Sequence, residues 1–441
     1  MSRQYLSAAR CVNAVNQGAS LKSFCSSQKS IGKVDYALAA ETIKYQSILH
    51  DVLNYCGVDA KSLHVDSGVL DVMLYELLLG KKKIQGGGQV KRKLLEYASD
   101  LSHALGAILK KRGVSQVSEL LPQRILKSSE VRRYLRINEL KLEVDDGYHE
   151  LLDRFPFIQH DDCVPGLLVL PPGSKGLGEL DEVKLGYYII QDKASCFPSQ
   201  ILMDERRGGD IVDACSAPGN KTSHMAAMMF RKCNNSSRFS LASILALEKN
   251  HQRYELLVKR LEQAGAASIV TAMNKDFLSL DWAEYPSVTC VLLDPSCSGS
   301  GISNSLERSL EVSNYNNSRL RLLRAFQLKA LLHAMSSGTV ETIVYSTCSV
   351  NVEENESVVA EALQRNRKNR WTLVAPKRFD NWKRRGVRHS GLSDAETQCL
   401  IRCLPEDGMN GFFVALFRRG CHHHSSSSHV LRRMLWRPLS S

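Results

Sequence analysis

Apolar residues in the second half of the chain form short continuous runs, and stretches with helical periodicity separate them. The runs that predict strands are Ile211–Ala214, Ile244–Leu247, Ile269–Met273, Val288–Leu293 and Thr342–Tyr345. Continuous apolar runs are typical of strands covered on both faces. A last run, Phe412–Phe417, predicts one more strand, which we expect to be added at the edge of the same sheet.

Helices are predicted between these strands over Lys221–Phe230, Asn250–Ala264 and Arg319–Met335. Strands that alternate with helices predict a mainly parallel, doubly wound sheet with right-handed crossovers. We therefore expect an α/β domain over residues 206–420. Residues 421–441 include His422–His424 and a run of serines and predict a disordered tail, in which the histidines lack structured partners for a metal.

The first 128 residues predict a helical domain. Apolar positions recur at helical spacing in Tyr36–Cys56, Val69–Leu79 and Lys91–Lys111, and each stretch predicts one helix. Between the last two lies Lys81–Gly88, which has three lysines followed by three glycines and predicts a mobile basic loop. The loop either clamps a phosphate backbone or is a plain linker.

Residues 129–205 predict a small α+β module. Short strand-like runs occur at Arg133–Asn138, Gly166–Leu170 and Tyr187–Ile190, and prolines and a glycine follow the second of them. The basic residues of the first run either contact RNA or lie on an ordinary exposed strand face.

Composition narrows the cellular setting. The chain has 441 residues, of which 43% are hydrophobic, and no apolar run approaches the roughly 20 residues that span a bilayer. The thirteen cysteines form no CxxC pair, which favours reduced thiols without structural zinc. Basic residues and serines precede the first acidic residue, Asp35, as in an organelle transit peptide or an ordinary first helix.

The net charge of +12 is concentrated in one segment. The segment from Arg365 to Arg388 contains ten basic residues and one acidic residue, and Trp371, Phe379 and Trp382 lie among them. Cations beside aromatic rings suit a polyphosphate with stackable bases. The segment therefore predicts a nucleic-acid partner, and the alternative is a solvated charged face.

Carboxylates follow the first three predicted strands of the α/β domain in a pattern typical of nucleotide-cofactor sites. The loop Cys215–Asn220 follows strand one, and Glu248 and Asp276 follow strands two and three. The loop lacks G-x-G-x-x-G, and the chain lacks a P-loop, so a pyrophosphate ligand is disfavoured. A phosphate-free cofactor such as S-adenosylmethionine suits these carboxylates.

Two cysteines lie beyond the next two strands. Asp294 and Cys297 follow the fourth strand, and Cys348 follows the fifth. A thiolate that adds to carbon 6 of a pyrimidine makes carbon 5 nucleophilic enough to accept a methyl group, and Asp294 near ring N3 would stabilise the developing charge. The alternative is two buried structural thiols, and the residues alone do not tell which cysteine would attack.

Three segments resemble the motifs of one enzyme family, the NOL/NOP/Sun family of RNA cytosine-C5 methyltransferases. They are Asp213–Thr222, Leu293–Gly301 and Tyr345–Ser349. The sequence Pro-Ser-Cys-Ser-Gly-Ser-Gly and the segment Leu78–Gly88 resemble the branch that methylates large-subunit rRNA, called Rcm in yeast. Ser296 replaces the family's usual second proline. The resemblance covers about residues 5–417 and implies a Rossmann-like methyltransferase domain.

The resemblance also implies roles for individual residues. Cys348 would be the nucleophile and Cys297 would aid product release. Asp294 would contact both the target cytosine and the cofactor. The implied ligands of S-adenosylmethionine are Cys215, Ser216, Ala217, Pro218, Gly219, Asn220, Lys221, Glu248, Arg253, Asp276 and Asp294. No metal is implied. The family further implies a nucleolar, monomeric enzyme acting on rRNA, with an organelle as the alternative location.

Two other functions remain compatible with the sequence. One is a non-catalytic RNA-binding assembly factor that keeps the fold, although retention of both cysteines and all the carboxylates argues against it. The other is a methyltransferase for a different nucleic acid, tRNA or DNA, since the target base must be single-stranded or flipped out in either case.

Overall fold

A computed structural model describes residues 2–17, 19, 21, 24, 25, 28, 30–121, 131–174, 176–234, 243–302, 317–366 and 371–420. The predicted tail over residues 421–441 lies outside the described residues. Among the described helices, none has both the length and the apolar character needed to cross a bilayer.

The N-terminal part is helical, as predicted. Its helices are Arg3–Asn16, Lys33–Cys56, Ser67–Leu78, Gln89–Glu96 and Ala98–Arg112. The prediction of one continuous helix over Lys91–Lys111 was wrong, because the chain leaves helical geometry at Tyr97. The first helix buries Tyr5, Ala8 and Val12 against its neighbours, so it is an ordinary packed helix.

The small module forms an antiparallel sheet in the order β2 (Gln159–His160), β3 (Leu167–Leu170), β1 (Arg133–Ile137) and β4 (Tyr188–Ile190). The helix Val144–Leu152 packs on this sheet. Both interpretations of the basic residues in β1 were wrong for Arg136, because its side chain is only 1% exposed. It faces neither RNA nor water and points into the junction with the next domain.

The main sheet has the order β10 (Trp371–Leu373), β12 (Phe412–Arg419), β9 (Thr342–Thr347), β8 (Val288–Leu293), β5 (Asp210–Asp213), β6 (Ile244–Leu247) and β7 (Val270–Met273), and the short strand β11 (Ile401–Cys403) also pairs with β12. Strands β5 to β9 are mutually parallel, whereas β12 runs antiparallel to β9. The edge position predicted for β12 was wrong, since β10 pairs with its other side. Separate apolar clusters cover the two faces of the sheet.

The helices between the strands of the main sheet follow the predicted alternation. Their bounds are Asn220–Asn234, His251–Gln263, Asn317–Ser336, Glu356–Arg365 and Asp394–Cys399, and a further helix, Lys193–Glu205, precedes β5. Strands β6 and β7 extend from one side of β5, whereas β8 and β9 extend from the other. Ligand sites of open α/β sheets lie at such a switch in strand order, beyond the carboxyl ends of the strands.

Candidate active site

A cleft of about 820 Å³ lies beyond the carboxyl ends of β5 to β9. Its size falls in the range of small-molecule pockets. It brings together side chains that the sequence placed at five different strand ends. Its lining includes Cys215, Ala217, Glu248, Arg253, Asp276, Phe277, Asp294, Cys297, Phe326 and Cys348.

The loop after β5 forms one wall of the cleft and depends on a glycine. Gly219 has φ of +102°, a conformation that disfavours other residues, and a Cβ there would lie 3.1 Å from Leu257. Ser216 ties the loop to both flanking strands through the carbonyls of Asp213 and Leu247. The predicted set divides here, because Pro218, Gly219 and Asn220 line a neighbouring cavity that faces the small module.

Asp213 lies beneath this loop at the end of β5. It is 1% exposed, and its carboxylate accepts a hydrogen bond of 2.7 Å from the Thr222 hydroxyl. Burial raises the pKa of Asp213 to about 6, although hydrogen bonding opposes the shift. The loop therefore rests on a desolvated carboxylate.

The cofactor end of the cleft is formed by Glu248, which is buried, by Asp276, which is partly exposed, and by Arg253, which is exposed. Glu248 accepts a hydrogen bond of 2.8 Å from the Asn250 backbone and pairs with Arg253 at 3.3 Å. Arg253 also donates to the Ala217 carbonyl at 2.7 Å, which links the ends of β5 and β6. The carboxylate of Asp276 lies 2.8 Å from Lys249, whose side chain is 74% exposed.

Asp276 differs from Asp213 in its ionisation. Burial alone would raise the pKa of Asp276, but the hydrogen bond and charge of Lys249 outweigh it and hold the pKa below its ordinary value. A carboxylate that is ionised and half-open to water can accept hydrogen bonds from ligand hydroxyls. This fits the ribose of a nucleoside and disfavours a phosphate.

The reacting end of the cleft consists of Cys297, Cys348, Asp294 and Lys221. The two sulfurs are 3.1 Å apart, so one thiol can donate a hydrogen bond to the other. Asp294 accepts from Lys221 at 2.7 Å and from the Ser346 hydroxyl at 2.7 Å, which leaves its orientation fixed. This arrangement combines a polarisable nucleophile with an ion pair, and it supports covalent chemistry on an electron-poor ring.

Protonation differs among the groups of the reacting end. Burial lowers the pKa of Lys221, but the charge and hydrogen bond of Asp294 reverse that effect and leave the pKa above its ordinary value. The pKa of Cys297 is raised well above the ordinary value, first by its hydrogen bond with Cys348 and then by burial. Cys297 is therefore held as a thiol at neutral pH.

The loop after Cys297 passes so close to another segment that only glycine fits. A Cβ on Gly301 would lie 2.0 Å from the Gly411 carbonyl oxygen. Gly301 also donates its backbone N–H to the Cys348 carbonyl at 2.8 Å, which ties the two cysteine loops together. The small residues of this motif are thus required by packing.

Sequence reasoning missed three side chains near the cleft. Glu354 is fully buried and bonds to both cysteine loops, and Gln327 joins it from the helix Asn317–Ser336. Arg136 reaches from the module and donates to Ser223 at 3.0 Å. The acidic run Glu353–Glu356, directly after the Cys348 loop, was a signal for the first of these, whereas nothing local marks the other two.

The basic segment differs from its sequence interpretation. Trp371 and Phe379 are 5% and 2% exposed, and Trp382 packs edge-on against Phe197 at 5.3 Å. Trp371 and Phe379 belong to the core, so their predicted role in stacking bases was wrong, and Trp382 is partly buried against the same core. Arg384 is held by Asp407, whereas Lys377, Lys383 and Arg388 point outward. Arg367, Lys368 and Arg370 lie outside the described residues.

Within the described residues no cluster of three or more His, Cys, Asp or Glu side chains is placed to hold a metal ion.

Two family models match the chain. Residues 200–418 match the 16S rRNA methyltransferase RsmB/F model. Residues 33–121 match the N-terminal domain model of NOL1/NOP2/Sun domain family member 5. The first match contains the whole cleft.

Curated relatives cover most of the chain. It is 35% identical to the 25S rRNA (cytosine-C(5))-methyltransferase NSUN5 of Arabidopsis thaliana over 87% of this chain and 66% of that protein. It is 35% identical to the 28S rRNA (cytosine-C(5))-methyltransferase of Mus musculus over 87% of this chain and 83% of the relative. It is 34% identical to the 25S rRNA (cytosine-C(5))-methyltransferase rcm1 of Schizosaccharomyces pombe over 88% of this chain and 85% of the relative. The chain thus spans slightly less than two thirds of the plant protein and most of the other two.

Solved structures share the fold. A methyltransferase homolog protein from Pyrococcus horikoshii has a TM-score of 0.53 at 21% identity over 83% of this chain and 98% of its own. NSun6 from the same organism has a TM-score of 0.53 at 17% identity, over 67% of this chain and 93% of its own. At these identities the likeness concerns the fold alone.

Proposed function

The chain belongs to the NSUN5/Rcm1-type rRNA cytosine-C5 methyltransferases, and on that premise we propose that it transfers a methyl group from S-adenosylmethionine to carbon 5 of a cytosine in large-subunit rRNA. One observation carries the proposal. The Cys297–Cys348 pair and the Lys221–Asp294 pair lie in the same cleft as the cofactor-type carboxylates.

The residues of the cofactor end of the cleft fit S-adenosylmethionine as the methyl donor. Glu248 and Asp276 would hold the ribose, Arg253 would orient Glu248, and Phe277 and Phe326 offer apolar surface for the base. Cys215, Ser216 and Ala217 would form the wall behind it, with Pro218, Gly219 and Asn220 shaping the loop. When bound, the cofactor supplies an electrophilic methyl group.

Cys348 is assigned as the nucleophile of this reaction. Its thiolate forms a bond to carbon 6 of the cytosine, and the electron pair of the carbon 5–carbon 6 double bond shifts so that carbon 5 can accept the methyl group. Lys221 and Asp294 lie beside this sulfur and would hold the polar edge of the ring. Their ion pair offers both a donor and an acceptor to a pyrimidine.

Cys297 is assigned to product release. After methylation a base removes the proton of carbon 5, the sulfur–carbon 6 bond breaks, and its electron pair returns to Cys348. The Cys297 thiol, 3.1 Å away and held protonated, can hydrogen-bond the leaving thiolate. Removing Cys297 should therefore slow release more than attack.

The relatives, which are methyltransferases of large-subunit rRNA, support the substrate of this proposal. We assign large-subunit rRNA as the partner, the nucleolus as the location and a monomer as the working form. The helical part over residues 1–128 and the module over 129–205 would bind RNA, and residues 206–420 would carry the chemistry. Lys81–Lys83 and Arg92 are exposed cations beside the glycine-rich loop of the N-terminal part.

One assay tests this function against its alternatives. Purified protein and labelled S-adenosylmethionine are incubated with large-subunit rRNA fragments, tRNA and duplex DNA, and methylated cytosine is quantified after nucleoside digestion. Methylation confined to the rRNA fragments supports the proposal. Methylation of only tRNA or DNA would reassign the substrate, and RNA binding without methylation of any of the three would indicate an assembly factor.

A further inference from the structure

Glu354 is the most deeply buried carboxylate near the reacting end of the cleft, and the reaction as described does not use it. Its side chain has no exposed surface. It accepts hydrogen bonds from Ser298 N at 2.8 Å, Ser298 Oγ at 2.5 Å, Ser349 Oγ at 2.5 Å and Gln327 Nε2 at 3.0 Å. All of these donors are neutral.

These contacts have a specific place in the sequence. Ser298 directly follows Cys297, and Ser349 directly follows Cys348. The two hydroxyl donors thus belong to the residues adjacent to the two reacting sulfurs, which are on loops 51 residues apart in the chain. A single carboxylate bonds to both.

The surrounding polar groups extend the same connection. Gln327 donates from its amide nitrogen both to Glu354 and to the Ser296 carbonyl at 3.0 Å, immediately before Cys297. The Ser300 and Ser349 hydroxyls are 2.9 Å apart and add a second link between the loops. Hydrogen bonds from side chains on both sides of Cys297 therefore connect the two loops.

We infer that Glu354 is a positioning residue, which fixes Cys297 and Cys348 at the separation that attack and release require. A buried carboxyl group is costly unless its oxygens are hydrogen-bonded. The hydrogen bonds to Glu354 come from both cysteine loops, so they fix the position of one loop relative to the other. A network of this kind holds reacting groups in place through neighbouring residues. The inference rests on the proposed roles of the two cysteines.

The matched test compares Glu354→Gln with Glu356→Gln. Both residues are fully buried carboxylates of one short segment, but Glu356 pairs with Arg402 and contacts neither Ser298 nor Ser349. The probe is large-subunit rRNA fragments transcribed with 5-azacytidine triphosphate, and the measurement is the rate at which a denaturation-resistant protein–RNA adduct forms with S-adenosylmethionine. Cofactor affinity and melting temperature are measured in parallel.

Glu354→Gln should slow adduct formation about ten- to hundredfold, the scale expected when a reacting group is misplaced by about 1 Å. Its affinity for S-adenosylmethionine should stay within about twofold of the wild type, because Glu354 contacts none of the cofactor residues. Glu356→Gln should keep the wild-type adduct rate even if it melts earlier. Ser349→Ala combined with Glu354→Gln should lose little more than Glu354→Gln alone, since both remove the same link.

A wild-type adduct rate in Glu354→Gln would overturn the inference, and so would an equal loss in Glu356→Gln. If Glu354→Gln does not fold, Ser298→Ala and Ser349→Ala test the same links singly, and unchanged rates in both would also overturn it. Cys348→Ala is run alongside as a reference. An adduct in that variant would contradict the proposed function itself, independently of Glu354.

Discussion

The two ends of the cleft hold similar carboxylates that pair with different lysines. At the reacting end, Asp294 pairs with Lys221, whose side chain is only 14% exposed, and the sulfurs of the two cysteines are 3.1 Å apart. At the cofactor end, Asp276 pairs with Lys249, whose side chain is 74% exposed. The two carboxylates are themselves about equally exposed, at 24% and 28%, so the difference lies in the burial of their cationic partners.

Two aspartates at the ends of parallel strands show how burial and an ion pair change the pKa of a carboxyl group. Burial raises the pKa of Asp213 to about 6, while Lys249 keeps that of Asp276 below its ordinary value. The same residue type therefore serves as a structural support in one place and as an open acceptor in the other. Position in the strand pattern alone does not separate the two.

The comparison is tested most strongly at the cysteines, where the largest effect is expected. Cys348→Ala should abolish methyl transfer and form no adduct with 5-azacytosine RNA. Cys297→Ala should still attack and methylate but stall at release. It should therefore accumulate an adduct with ordinary cytosine, visible as a denaturation-resistant shifted band.

One gel with both variants, run with and without cofactor, decides the roles. Structural thiols would instead cost both variants stability, by roughly one to three kcal/mol, with no trapped RNA in either. A trapped band in Cys348→Ala alone would reverse the assignment.

The sequence predicted the cleft better than it predicted what holds the cleft together. Continuous apolar runs ending in Asp213, Glu248 and Asp294 marked the strands and their ends, because burial on both faces leaves a local pattern. Gln327 and Arg136 left none, since their partners lie far away in the chain, and only a short acidic run marked Glu354. Similarly, Trp371 resembled a base-stacking residue because only the packed structure shows what covers its ring.

At the cofactor end we expect a smaller effect, a loss of affinity for S-adenosylmethionine. Glu248→Ala and Asp276→Ala should each weaken S-adenosylmethionine binding roughly tenfold or more, since each removes acceptors for ligand hydroxyls and leaves its neighbour unpaired. Isothermal titration calorimetry measures both. Lys249→Met is the control, because it keeps the acceptor and removes only its exposed partner. Wild-type affinity in both alanine variants would place the cofactor elsewhere.

The opposite pKa shifts of the two aspartates predict opposite effects of pH on stability. Asp213 has a folded pKa near 6 and an ordinary value of 3.8, so its stabilising contribution is complete below pH 4 and is lost as pH rises to 6. The loss is about 1 to 3 kcal/mol. Asp276, with a lowered pKa, instead loses its contribution as pH falls below 4.

Urea unfolding at pH 4, 5, 6 and 7 measures this difference. Asp213→Asn should make the decline between pH 4 and 6 smaller by about 1 to 3 kcal/mol, leaving the part that other buried carboxyl groups contribute, whereas Asp276→Asn should leave the whole decline intact. A wild-type profile in Asp213→Asn would mean that another buried group, such as Asp192, whose pKa burial raises to about 6, causes the decline.

Salt concentration should affect the binding of RNA and the binding of the cofactor differently, and each single residue should contribute only a small part of this difference. RNA affinity should fall steeply with salt because each neutralised phosphate releases counterions, whereas a cofactor without phosphate should bind almost independently of salt. Arg384, which the basic segment first suggested as a phosphate contact, is engaged by Asp407 at 2.8 Å. The outward cations of that segment are Lys377, Lys383 and Arg388, and although Arg388 lies 3.9 Å from Asp394, both of those side chains are almost fully exposed.

Replacing these three outward cations with glutamine should therefore flatten the slope of log K against log salt for RNA by up to about two units, at roughly 0.7 per single-strand contact. Arg384→Gln should change the slope little, because a cation already paired with a carboxylate releases few counterions, although the variant should melt earlier. Fluorescence anisotropy with a labelled rRNA fragment between 50 and 300 mM KCl gives both slopes. An unchanged slope in the triple variant would mean that this face meets only solvent, and RNA binding would then have to depend on other cations, such as those of the N-terminal glycine-rich loop.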